Sequence, residues 1–380
     1  MLTWLIMLIY HKNRRMVKMS RCRLVLAVWI LGFCAVSSAT EDRNLQWFVS
    51  AEALADNNLE RVWQNRLAVR KTEKLERLFI LGNRIYGLSD SNYIVSMNRE
   101  TGAPIFSRPI AEAGLPVLGF GLYEKDVFFI AGNRLIEINS ELDTEHSSRR
   151  LEFNATCPAA RNKSYFYIVE GGKHVHVLRA TDKVRIFTVG IENNSMITSV
   201  VAGEDFFVLG TDAGNIVSYE ADGMKQLWRF KADGSIVEPI VKDGKWLFFA
   251  GKDTNVYKIN VVTGRLVWKY PAGVMLDEQP RVTQEIVYQH IRNKGLAAIN
   301  KKNGKLLWQL DEGTDLLAEE NGMAYVITKA GTLIVMDNKK ARQVRSVNLE
   351  GVSKYAVNVT DSRIYIASED GRIVCLKSKE

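Results

Sequence analysis

His174 and His176 stand two residues apart in an apolar stretch of strand character, where alternate side chains share a face and can offer two imidazole nitrogens to one metal ion. No third ligand stands near them, so a structural or solvent-facing pair is the expected reading. His146, Arg149 and Arg150 form a short basic run suited to a small anion, with a solvated loop as the alternative. Trp228, Trp268 and Trp308 recur at intervals of 40, with Phe106 and Phe187 at similar places. Such a series invites the idea of a ligand cage. An aromatic appearing once per repeat more simply buries its area against the next repeat. No catalytic, cofactor-binding or metal-binding residue is therefore expected, and no cofactor.

The remaining reactive groups point the same way. Cys22 and Cys34 lie in the N-terminal segment, and Cys157 and Cys375 lie far apart, so two buried free thiols are expected in the body of the protein. There is no adjacent cysteine pair, CxxCH haem attachment, GxSxG elbow or GxxxxGK[ST] loop. Asn154, Asn162, Asn193 and Asn358 open N-x-[ST] triplets, which carry meaning only in a eukaryotic host.

The elements that hold these residues repeat. An apolar strand, a turn, an alternating strand ending in Asn, Asp or Glu, a Gly turn and an aromatic-bearing strand recur from Leu75 onward. Clear copies are Phe206 to Trp228, Trp246 to Trp268 and Ile286 to Trp308. A period near 40 built from short alternating strands fits four-stranded propeller blades, each of which must stack on its neighbours to bury both faces. Eight units are counted: 75–110, 115–153, 155–191, 197–232, 236–272, 276–313, 315–351 and 353–380. The second and third lack the tryptophan, and irregular outer strands are expected around Arg149-Arg150 and Ile186-Phe187. The eighth stops before a fourth strand, and Leu59-Glu60-Arg61-Val62-Trp63 supplies an orphan one upstream. The fold expected is all-β: an eight-bladed β-propeller of four-stranded blades, closed by an N-terminal strand completing the last blade. Residues 1–39 are set apart as a signal segment, 40–58 as a lead-in helical over 51–57, and 59–380 as a single propeller domain. Trimming 40–50 is expected to do little.

The Thr/Asn-Gly-Lys/Arg turn followed by Trp in 197–313 resembles the PQQ-like propeller repeats of quinoproteins and of BamB, the propeller of outer-membrane protein assembly. The likeness extends over roughly 320 residues. The opening Leu59-Glu60-Arg61-Val62-Trp63 also resembles exported propellers of planctomycete-type bacteria. The resemblance implies a non-enzymatic scaffold or protein-binding propeller. PQQ-dependent quinoproteins are the alternative it raises; they carry a vicinal cysteine pair beside the cofactor, and this chain has no adjacent cysteines. A small-ligand sensor with its site in the channel is the third reading.

Charge and hydropathy place the protein. Of 51 basic and 43 acidic residues, six basic and no acidic ones fall within residues 1–39, so the net charge of +8 is mostly the leader's. The body is nearly neutral, which argues against nucleic acid as a partner. Basic residues through Arg23, the apolar run Leu24 to Val36 and the small residues Ser37-Ser38-Ala39 form an export signal with cleavage near Ala39. An earlier apolar run, Leu2 to Tyr10, is too short to span a bilayer and leaves Met1, Met16 and Met19 open as starts. Cys34 raises lipidation, but Phe33 before it is too bulky for a lipobox. The expected protein is a monomeric propeller in the periplasm or cell envelope, bound to an envelope protein and associated with the membrane through that partner.

Overall fold

The computed structural model describes residues 47–141, 144–191 and 195–379. The expected signal segment, with Cys22 and Cys34, and Asn193 with Asn194 lie outside them. The described chain from Phe48 is built of eight four-stranded antiparallel sheets, the blades of a β-propeller. A six-residue helix, Ala51–Asp56, capped by Ser50, is its only α-helix among the described residues. Blades 1 to 7 span 75–109, 117–150, 160–190, 197–231, 241–271, 281–310 and 313–348. Blade 8 takes three strands from 354–378 and its fourth from Leu59–Arg66.

Strands two and three are the apolar centre of each blade. In blade 5 these are Trp246–Ala250 and Asn255–Asn260, and Leu247, Phe248, Phe249, Val256 and Ile259 are all buried. Near-continuous apolar runs arise because both faces of a blade are covered by neighbours. The core is accordingly a series of inter-blade layers. One joins Phe248 and Val256 of blade 5 to Val287 and Ala297 of blade 6.

The fourth strand of every blade carries a one-residue bulge at one place. Trp228 faces Ser218 and Gln226 faces Tyr219, so Leu227 is extra. In blade 8 Trp63 faces Cys375 and Arg61 faces Leu376, so Val62 is extra in the same way. The N-terminal strand therefore reproduces a blade's outer strand down to its bulge. Such bulges bend and twist the strand, and they turn Val62, Ile186, Leu227, Val267 and Val344 to solvent. The irregular outer strands expected in blades 2 and 3 are not found. Thr144–Arg150 and Arg185–Gly190 pair with their neighbours through the same single bulge, because it belongs to the sheet geometry and not to the tryptophan.

One expectation about the lead-in is overturned. Phe48 is buried, its carbonyl accepts the Glu350 N–H at 2.7 Å, and the Arg372 guanidinium lies 5.5 Å from its ring centre. Residues ahead of the helix thus close over the last blades, and trimming 40–50 removes real packing.

Candidate functional site

The recurring tryptophans are fasteners between blades. The indole N–H of Trp228 donates to the Val261 carbonyl at 2.9 Å, and that of Trp268 to the Lys301 carbonyl at 3.0 Å, each in the third-to-fourth-strand turn of the next blade. The turn glycine makes room for the ring. A Cβ on Gly264 would lie 2.5 Å from Trp228, and one on Gly304 2.7 Å from Trp268. Both glycines have positive φ, 66° and 72°, which only glycine adopts freely. The Asn that ends the third strand caps the same turn: Asn260 Oδ1 accepts the N–H groups of Val262 and Thr263. Asn, Gly and Trp are therefore one device spread over two blades, and the tryptophans form no cage.

His174 and His176 do not act as a pair. His176 is buried between Thr188, 2.9 Å from Nδ1, and Glu170, 2.6 Å from Nε2, with the Phe153 ring tilted against it at 4.2 Å, while His174 is exposed. Among the described residues no three His, Cys, Asp or Glu side chains converge as a metal-binding set. Cys157 and Cys375 are buried free thiols. Asn162 and Asn358 are buried, and Asn162 is tied to Tyr167, Gly203 and Glu204; only Asn154 of the described triplets is exposed. The His146 side chain lies outside the described residues. Arg149 and Arg150 are exposed and share two adjoining clefts.

Two features escaped the sequence reading. Antiparallel order puts the second-to-third-strand turns and the connections between blades at one end of the ring. There, Leu115, Met196 and Met275 stand exposed on the connections from blade 1 to 2, 3 to 4 and 5 to 6. The same end holds a polar group across blades 4 to 6. His290 Nδ1 lies 2.7 Å from Glu278 Oε1, which raises the imidazole pKa above its ordinary value. Burial, helped by Asp277 and Glu278, raises the Glu238 carboxyl. Nearer the channel Arg281 makes a bidentate pair with Asp315 at 3.0 and 2.9 Å, and Tyr355 reaches the same carboxylate at 3.4 Å. A signal for this group exists: Gln289-His290 occupies the place where blade 4 has Leu209-Gly210 and blade 5 has Phe249-Ala250.

Eight stacked four-stranded blades, three of whose seams pack a Trp on a turn Gly, define a β-propeller of PQQ-like repeats. The chain carries PQQ-like, BamB-like propeller repeats: the family model described as outer membrane protein assembly factor BamB matches residues 155–310 and 212–339. Outer membrane protein assembly factor BamB of Moranella endobia is 24% identical over 246 residues, 54% of this chain and 62% of that one. The tetrathionate hydrolase of Acidithiobacillus ferrooxidans is 29% identical over 144 residues, 35% of this chain and 28% of the enzyme. The crystal structure of BamB from Moraxella catarrhalis superposes with a TM-score of 0.63 at 14% identity, over 84% of this chain and 99% of that one, a likeness of fold. The chain spans only 28% to 62% of the length of the curated relatives it matches.

PQQ does not fit the residues present. The two thiols of the propeller are buried in different blades, Cys157 ahead of the strands of blade 3 and Cys375 within blade 8. The repeat tryptophans are spent in the outer seams, away from the channel.

Proposed function

We propose that this chain is an exported, non-enzymatic propeller that serves as a protein-binding scaffold of the cell envelope, released from a signal segment near Ala39. The observation that carries the reading is the trio Leu115, Met196 and Met275, large apolar side chains held in solvent on three connections at one end of a rigid ring. Exposed apolar groups on scaffolded loops are what a protein partner uses. The likeness to an outer membrane assembly factor supports a partner of that compartment.

In the organism, crosslinking with the wild-type chain is expected to capture an envelope partner, and the Met196→Asp, Met275→Asp double variant is expected to lose it while folding normally by circular dichroism. Equal capture by both chains would refute this face. Adding PQQ with calcium is expected to change neither melting temperature nor tryptophan fluorescence; a saturable quench at micromolar PQQ would overturn the non-enzymatic reading.

A further inference from the structure

The seam between blades 2 and 3 is built unlike the Trp-on-Gly seams. The outer strand of blade 2 has Ser147 where blades 4, 5, 6 and 8 carry Trp, facing Glu137 across the sheet. The turn of blade 3 has Lys183, at φ 60°, in the glycine slot. Lys183 and Glu137 meet there as a buried ion pair, with Arg161 also 2.6 Å from Glu137. No indole covers the outer side of this seam. A cleft of about 280 Å3 between Arg149–Phe153 and Lys183–Arg185 opens there instead, and a second of about 640 Å3, lined by Asn133, Arg134 and residues 148–154, adjoins it along the wall from Arg149 to Phe153.

The lining of these clefts is cationic in a protein body that is otherwise nearly neutral. Arg149, Arg150 and Arg185 are exposed, and none of them takes part in an ion pair among the described residues. Arg134 is bound through its guanidinium to Ser148 at 2.7 Å. Glu152 is the one carboxylate on the wall. Val184 and Ile186 flank Arg185 and are exposed. A groove of that volume, with Leu151, Phe153 and Val184 among its cationic side chains, matches an extended chain and is far too large for a single inorganic ion.

We propose that this blade 2–3 groove binds an extended acidic segment of a partner protein, with carboxylates on Arg149, Arg150 and Arg185 and apolar side chains against Val184 and Phe153. The proposal rests on the scaffold reading above and names a second contact of the same partner, a groove whose wall at Asn133 and Leu151 to Asn154 lies at the same end of the ring as Leu115, Met196 and Met275.

The test uses a fluorescein-labelled peptide of alternating Glu and Val, followed by anisotropy with the full mature chain. Saturable binding is expected that weakens steeply with salt and falls at least about tenfold in the Arg149→Glu, Arg150→Glu, Arg185→Glu chain. The exposed Arg265→Glu variant, on a turn of blade 5, is the control and is expected to bind as wild type. Binding that ignores the three substitutions, or a Lys/Val peptide that binds equally well, overturns the proposal. So does displacement of the peptide by inorganic phosphate at comparable concentration, which would make the groove a small-anion site. If crosslinking in cells is lost with the Met196 and Met275 substitutions but retained with the three arginine substitutions, the groove proposal fails and the scaffold reading stands; loss with neither sinks both.

Discussion

Trp63 and Gly102 lock the eighth blade to the first. A Cβ on Gly102 would lie 2.5 Å from the indole, and the Trp63 N–H donates to the Arg99 carbonyl in the same turn at 3.2 Å. Tyr365 of blade 8 also donates to the Arg99 carbonyl at 3.1 Å, and the Arg99 guanidinium returns to Asp361 at 2.7 Å. The closing seam thus uses the device found within the chain, reinforced by a buried arginine.

Gly102→Ala should destabilise the protein by about 3 kcal/mol, since it adds a left-handed Ala at φ 68° to a clash with a large ring. Urea denaturation measures it. In a Trp63→Ala background the same change should cost clearly less, because the clash is gone. Additive costs would show that the two residues do not share the seam.

The blade count and the closing strand were legible because period, turn and aromatic recur in sequence with one spacing. Phe48 was not legible, since nothing about the pair Trp47-Phe48 before a short helix says that Phe48 folds back on Arg372 and Glu350. The channel-end group around His290 and Glu238 escaped for another reason. Its members come from connections whose course depends on three dimensions, and only Gln289-His290 breaks the apolar pattern of its strand. The Trp-to-Gly contact was half visible: both residues stood out, but their partnership lies between blades.

Lys183→Gly restores the residue common in this turn and relieves a positive φ, yet it should destabilise by about 1–3 kcal/mol. Glu137 is fully buried and would be left with Arg161 as its remaining close cation. A gain in melting temperature would mean that backbone strain outweighs the ion pair.

His290 should make stability depend on pH. The Glu278 carboxylate holds its pKa above the ordinary 6.5 in the folded chain. That stabilisation is complete below about pH 6.5 and disappears as pH rises through the folded value. NMR titration of the ring should give a raised midpoint, brought down by Glu278→Gln. A His290→Gln chain should lose part of the decline in melting temperature above neutrality; an unchanged profile would remove His290 as its source.

Burial pushes the Cys157 and Cys375 thiols up to about 12, so neither is a thiolate at neutral pH. A thiol reagent at pH 8 should label neither in the native protein and both in urea. Fast labelling of one would show that its blade opens locally.

Closure itself can be tested by truncation. Leu59–Arg66 pairs with Arg372–Ser378, from Leu59 opposite Ser378 to Arg66 opposite Arg372, and it supplies the outer strand of blade 8. Leu67 follows it into the layer under blade 1, buried with Leu75 and Ile373. Deleting 40–68 removes that strand, the Trp63 seam and this packing together. The edge of Arg372–Ser378 is left with unpaired backbone groups, so aggregation and a broad, uncooperative transition are expected by light scattering and calorimetry. Deleting only 40–50 leaves the strand but takes Phe48, so it should still melt cooperatively with a loss of about 3 kcal/mol, and without aggregation. If the chain lacking 40–68 melts as cooperatively and as high as the one beginning at residue 40, the N-terminal strand does not close the ring.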